Sequence, residues 1–274
     1  MERAFARNRV WVWMLVWLGC PCLAAVAGDG VPDLVTDRPD QTESSVTVDP
    51  RYIQFEFGWT HAEDNENGDV TTDSAPETLV RIGLVDDLEL RLGFAGYVWQ
   101  EVDGPGAASW DDEGATDIEV GFKVKLRHEQ GWTPETALLA GTTLPTGQTG
   151  FSSERFDPAV RLACSHTLSE TFGLGYNLAA AWETEEDAAG DRDTTAAIAY
   201  SVVLGAALSD RLGTFVEFFG EAPTGDGKPA NSLDGGFTWL LADNVQLDVL
   251  AGLGISEDAD DWFIGAGLVW RLPR

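Results

Sequence analysis

YIQFEFGWT, residues 52–60, decides the fold: Ile53, Phe55, Phe57 and Trp59 fall on one face, with Gln54, Glu56, Gly58 and Thr60 on the other. This is the period-two alternation of a strand with one apolar and one polar side. The pattern returns at Leu88–Val98, where Leu88, Leu90, Leu92 and Phe94 oppose Glu89, Arg91, Gly93 and Ala95. It returns again at Asp117–Leu126, where Ile118, Val120, Phe122, Val124 and Leu126 oppose Asp117, Glu119, Gly121, Lys123 and Lys125. Further alternating runs cover residues 77–84, 135–144, 159–167, 172–182, 195–208, 214–221, 232–241, 245–255 and 262–272, twelve in all.

The connections separate a membrane barrel from a soluble β-sandwich. Long acidic loops are expected at residues 61–76, 99–114, 145–158, 183–193, 222–231 and 256–261. They alternate with short turns at 85–87, 168–171, 209–213 and 242–244, and 127–134 is the one longer turn. Long connections outside and short ones on the periplasmic side are the habit of outer-membrane barrels, and an even strand count leaves both termini periplasmic. Alternation then sends the apolar set to lipid and the polar set to the lumen, while closure pairs every backbone amide. Trp59, Trp99, Trp182, Trp239, Trp262 and Trp270 fall near strand ends, where interfacial girdles form. The competing architecture, a soluble β-sandwich, uses the same apolar face as an interior and has no reason to alternate long and short connections.

At the N-terminus, Arg3, Arg7 and Arg9 precede an apolar run from Val10 to Leu18, and Ala25-Val26-Ala27 closes it. That is the form of a secretory signal peptide, expected to be cleaved after Ala27. Cys20 weakly imitates a lipoprotein acylation site, with Trp17 and Pro21 poorly suited to it. The expected organisation is a signal peptide over 1–27, a periplasmic N-terminal segment over 28–50, and an outer-membrane β-barrel over 51–274. If Cys20 and Cys22 leave with the signal, Cys164 has no disulfide partner. The formal charge of the chain is −29; a leader with three Arg and one Glu takes it to −31 on removal, which excludes nucleic acid as a partner. With 44% hydrophobic residues and 30 glycines, the composition suits a β protein with polar loops rather than a disordered acidic chain.

By the same alternation, the lumen receives Glu56, Arg81, Glu89 and Arg91 from the first strands. Glu119, Lys123, Lys125 and Arg161 follow from the middle ones, and Glu217, Asp234 and Asp248 from the last. Charges of both signs either pair across a modest interior or line a narrow polar passage. Ahead of the first strand stands TDRPDQTES, residues 36–44, with Asp37, Arg38, Pro39, Asp40, Thr42 and Glu43 close together. Two readings stay open for it. One is a self-satisfied turn in which Asp37 or Asp40 caps local amides. The other is a periplasmic plug in which Arg38 pairs with a lumen carboxylate such as Glu56.

TDRPDQTES followed by an alternating strand resembles the opening of the outer-membrane proteins called the MetA-pathway-of-phenol-degradation family. PETLVRIGLVDDLELRLG (76–93), ATDIEVGFKVKL (115–126), LPTG (144–147), NVQLDVLAGLG (244–254) and DWFIGAGLVWRL (261–272) fit the same family. The resemblance implies a transporter barrel, and more loosely uptake of hydrophobic or aromatic small molecules. Pro273-Arg274 follow Leu272, a departure from the terminal aromatic common in barrels.

Chemistry finds no foothold. His61, His128 and His166 are the only histidines and no G-x-S-x-G elbow exists; Ser165 and His166, adjacent on a strand, point to opposite faces. No enzyme, metal centre or cofactor is expected. Acidic runs at 63–66, 183–187 and 257–261 are either solvated loops or cation bridges to anionic lipid headgroups. The expectation is therefore an all-β, antiparallel transmembrane barrel of about twelve strands in a bacterial outer membrane, acting as a passive transporter or channel. Its partners would be outer-membrane lipid, the barrel insertion machinery and a small-molecule solute. The alternative is a structural or surface-interaction barrel whose lumen is blocked by ion pairs.

Overall fold

The alternating stretches pair with their neighbours in sequence and close into a ring. The computed structural model describes residues 32–65, 69–103, 109–186, 192–225 and 227–274; the expected signal peptide lies outside them. The strands are β1 (Tyr52–Asp64), β2 (Asp69–Val85), β3 (Leu88–Phe94), β4 (Tyr97–Asp103), β5 (Ser109–Ala115), β6 (Ile118–Arg127) and β7 (Glu135–Leu144). They continue as β8 (Pro158–Thr167), β9 (Phe172–Glu186), β10 (Arg192–Ser209), β11 (Leu212–Pro223), β12 (Ala230–Ala242), β13 (Val245–Gly254) and β14 (Trp262–Pro273). All pair antiparallel, and β1 closes the ring by pairing with both β2 and β14.

Fourteen segments build twelve staves. β2 pairs with β3 from Thr78↔Phe94 downward and with β4 from Ala75↔Tyr97 upward, with no change of register between them. The break at Ala95-Gly96 lies opposite Pro76, which has no N–H to give the ladder. Gly96 takes φ 114° there, and its carbonyl accepts from both the backbone N–H and the hydroxyl of Thr116. β5 and β6 form one path in the same way, pairing with β4 and β3. The result is a closed twelve-stranded antiparallel barrel.

The structure also corrects the loop lengths. β1 and β2 extend to Asp64 and Asp69, β4 and β5 occupy much of 99–114, and β9 and β10 reach Glu186 and Arg192. These extensions rise beyond the bilayer, where neither face needs to be apolar, so the alternation that marks a strand in sequence fades while the ladder continues. At the other end the turns are as short as expected: Asp86-Asp87, Asp210-Arg211 and Asp243-Asn244 each join two strands.

The faces settle which architecture the alternation encodes. Val216 is 62% exposed while its neighbour Glu217 is 2% exposed, the reverse of a soluble protein's preference. Leu178, Phe237 and Leu253 likewise face outward. A sandwich interior is thereby excluded, and the apolar surface is the one a hydrocarbon solvent requires. Trp59, Trp99, Trp182 and Trp262 stand outward toward one rim, and Trp239 and Trp270 toward the other, consistent with two girdles.

Candidate functional site

The lumen holds the chain's own N-terminal segment. Residues 32–50, expected on the periplasmic side of the barrel, instead enter it; Thr36, Asp37, Arg38, Asp40, Thr42, Glu43 and Ser45 are each at most 2% exposed. The physical reason is on the wall: the inward charges need partners, and this segment supplies them in a place where water is scarce.

The segment enters past Arg271, whose guanidinium donates to the carbonyls of Pro32 and Asp33, and past Gln54, which donates to the Val35 carbonyl. It then follows the inner circumference. Arg38 reaches Glu77 at 3.1 Å and Asp248 at 3.3 Å. Thr42 meets Ser201 at 2.7 Å and donates to Glu217. The Glu43 backbone is held on both sides by Asn177, which accepts from its N–H at 2.7 Å and donates to its carbonyl at 3.0 Å. Ser45 lies 2.6 Å from Ser165 and 3.0 Å from Glu135, and the Val48 N–H donates to Glu89. The contacts thus pass from β13 and β2 through β11, β10 and β9 to β8, β7 and β3, so the segment follows most of the inner wall as a ring.

Asp37 is the hub. Its carboxylate accepts from Lys123 at 2.7 Å and 3.0 Å, from Arg91, and from the Ser44 N–H at 3.1 Å, with Arg81 at 3.2 Å. Glu89 accepts from Arg81 at 2.9 Å and from Arg91 at 3.0 Å, and Glu43 takes the far side of Arg91 at 2.7 Å. Isolated buried ions would be costly; a network in which each ion has several partners offsets that cost.

Two glycines make the seat for Arg38. Gly58 of β1 and Gly267 of β14 are direct cross-strand partners. A Cβ at Gly58 would lie 2.1 Å from the Arg38 Nη1, and one at Gly267 would lie 2.3 Å from its Nε. The guanidinium therefore occupies the space a side chain would need at either position, and a Cβ there would displace it. Arg38 thus pairs with the lumen carboxylates Glu77 and Asp248 and donates to the Ala266 carbonyl, with Glu56 acting on it as a more distant charge. Glu56 instead accepts from the Asp37 N–H and from Arg81. The self-capping reading holds for Asp37, through Ser44, and fails for Asp40, whose oxygens have no hydrogen-bond partner among the described residues.

Of the charges expected inside, Glu56, Arg81, Glu89, Arg91, Lys123, Glu217 and Asp248 meet the segment directly. Arg161 donates to the Gln41 carbonyl at 3.3 Å, and Asp234 lies directly across the sheet from Glu217. Lys125 pairs with Glu135 at 3.2 Å nearer the periplasmic rim, and Glu119 lines a void of about 60 Å³ with Arg91, Arg161, Leu139 and several small residues. Sequence reasoning passed over Glu77, Asn177, Ser165, Ser201 and Arg271. Glu77 shares a face with Arg81, so parity alone would have found it; the uncharged residues carry no comparable signal. The inward faces of β10, β11, β13 and β14, which also carry Ser201, Glu217 and Asp248, bear an apolar cluster of Val203, Phe215, Phe219, Leu250 and Phe263.

The chain matches, over residues 36–272, the family model described as "Putative MetA-pathway of phenol degradation". Its fold is similar to the NanC porin, with a TM-score of 0.51 at 9% identity, covering 80% of this chain and 100% of that one. It is similar also to the beta domain of the Bordetella autotransporter Brka, with a TM-score of 0.52 at 12% identity, covering 80% and 99%. No curated protein sequence matches. A closed antiparallel barrel with an apolar outer face and these structural neighbours places the chain in a bacterial outer membrane.

Proposed function

The chain belongs to the MetA-pathway-of-phenol-degradation family, and on that premise we propose that it is a passive outer-membrane channel for small molecules, held shut by residues 36–48. The observation that carries this is the kind of contact the plug makes. Its hold on the wall is almost wholly polar, through Asp37, Arg38, Thr42, Glu43 and Ser45. Such contacts exchange for water at a net cost of about 0.5–1.5 kcal/mol for a neutral hydrogen bond and about 1.5–3 kcal/mol for one to a charged group, with no apolar surface to expose, so a polar plug can leave a lumen that an apolar one would not. The cluster of Val203, Phe215, Phe219, Leu250 and Phe263 gives the lumen an apolar patch, which favours uncharged solutes with an apolar face, aromatic ones included. Insertion by the barrel-assembly machinery belongs to the same proposal.

A second reading has its own observation: Arg38, Arg81 and Lys123 are almost completely buried in ion pairs, as in a barrel whose interior is purely structural. Swelling of proteoliposomes in small neutral solutes separates the two. The channel reading expects faster swelling when residues 32–48 are deleted than for the intact mature chain; equal, background swelling from correctly inserted protein would establish the structural barrel.

A further inference from the structure

Charge around the plug is not evenly shared. Toward β2, β3 and β6, Asp37, Glu43 and Glu89 meet Arg81, Arg91 and Lys123. Toward β11 and β12 that matching ends. Glu217 and Asp234 are direct cross-strand partners on the inward face, so their Cβ atoms are about 5 Å apart. The next two residues tie the plug to this pair, since the Gln41 N–H and the Thr42 hydroxyl both donate to Glu217, and the Asp40 carboxylate lies within electrostatic reach of both acids. Asp40 is 0% exposed, and all four carboxylate oxygens of Asp40 and Asp234 lack a hydrogen-bond partner among the described residues.

The surrounding elements bring little cationic relief. From β8, Arg161 donates to the Gln41 carbonyl and Asn177 and is the one cation whose charge reaches Glu217 among the described residues. From β10 comes neutral Ser201 and from β9 neutral Asn177. From β13, Asp248 adds a further carboxylate, already paired with Arg38; within the plug Asp37 is paired with Lys123. A metal ion does not fit: among the described residues no group of three or more His, Cys, Asp or Glu is arranged to hold one. Three carboxylates this close in a water-poor space do not all ionise together, whereas a protonated one becomes an O–H donor to its neighbour.

We propose that Asp40, Glu217 and Asp234 form a proton-held latch. Shared protons fasten Asp40 to β11 and β12; their loss leaves like charges that push Asp40 and the plug away from the wall. The site senses pH from inside the lumen and sets the open fraction, which deepens the channel reading and rests on its plug. Linkage gives the sign: if the seated plug binds more protons than the released one, release grows as pH rises, roughly tenfold per pH unit for each proton lost.

The test uses the mature chain in lipid vesicles with Cys164→Ser and Ser44→Cys. Ser44 is buried and, among the described residues, its hydroxyl bonds only within the plug. Labelling by a membrane-impermeant maleimide, divided at each pH by the rate of an Asp210→Cys control, is followed from about pH 5 to 9. The expected result is a normalised rate that climbs roughly tenfold per pH unit through the titration, and that stays low and flat in Asp40→Asn. A flat or falling rate in the parent, or an unchanged slope in Asp40→Asn, overturns the latch. So does a rate that follows added sodium, potassium or calcium at fixed pH instead of pH itself. Conductance recorded beside it keeps the two claims apart: pH-dependent labelling without conductance would sink the channel and leave the latch, and conductance with flat labelling would do the reverse.

Discussion

Replacing Asp37 by alanine removes the acceptor on which Lys123 depends. The ammonium lies 2.7 Å from Asp37, while its next acids are Glu43 at 3.5 Å and Glu89 at 3.8 Å, with no exposure to water. Arg81 and Arg91 retain Glu89, Glu56 and Glu43 at 2.7–3.2 Å, so the loss falls mainly on Lys123. Breaking a buried pair by removing one partner costs about 3–5 kcal/mol; the remaining acids put this case near the lower end. At 1.4 kcal/mol per decade, about 3 kcal/mol is roughly a hundredfold in the opening equilibrium of the plug. Hydrogen exchange of the peptide covering residues 36–45, read by mass spectrometry in lipid nanodiscs, should accelerate by that factor while β9 and β10 stay protected. Adding Lys123→Met removes the stranded ammonium and should recover roughly tenfold of it, since contacting sites do not add. Exchange within about threefold of the parent would refute the claim that this ion network holds the plug.

Gly58→Ala should free the plug without unfolding the barrel: the new methyl meets Arg38 and Glu77, an overpacking cost of about 1–3 kcal/mol, visible as faster exchange of the same peptide with unchanged heat-modifiability on gels. Val216→Arg sets a charge on the outward face and should cost about 2–4 kcal/mol in a bilayer if near the midplane, measured by guanidinium unfolding in vesicles; a neutral result would contradict lipid on that face. In the β13–β14 loop, burial beside Asp64 and Asp261 pushes Asp260 up to about 7 from an ordinary 3.8. The folded loop therefore binds that proton more tightly than the open loop. Its contribution is complete below about pH 4 and lost as pH rises to about 7, so exchange of residues 255–261, divided by the intrinsic amide rate at each pH, should quicken across that interval, and Asp260→Asn should remove the dependence of that ratio.

Period-two alternation was enough to read the staves, the two faces and the lumen charges, because lipid outside and water or ions inside force opposite chemistry on successive residues. Glu56, Arg81, Glu89, Arg91 and Lys123 were all placed on the inward face by it. The extensions at Asp69–Ser74 and Ser109–Gly114 were not legible, since in water both faces are polar and the periodic signal vanishes. The plug was only half legible. The charges of TDRPDQTES marked it as unusual, and a plug was one of two readings. Its path depends on contacts across more than two hundred residues, such as Arg38 to Asp248, and on the Gly58–Gly267 seat, which looks in sequence like two ordinary barrel glycines.

The most direct test is single-channel conductance with the plug tied to the wall. Ser45 and Ser165 hydroxyls lie 2.6 Å apart, which puts cysteines at those positions within disulfide reach. Ser45→Cys with Ser165→Cys, in a Cys164→Ser background, should be silent when oxidised and should show discrete openings on the same bilayer once reductant is added. Equal conductance in both states, or silence in both when the plug-deleted barrel also stays silent, would contradict a channel closed by its own N-terminal segment.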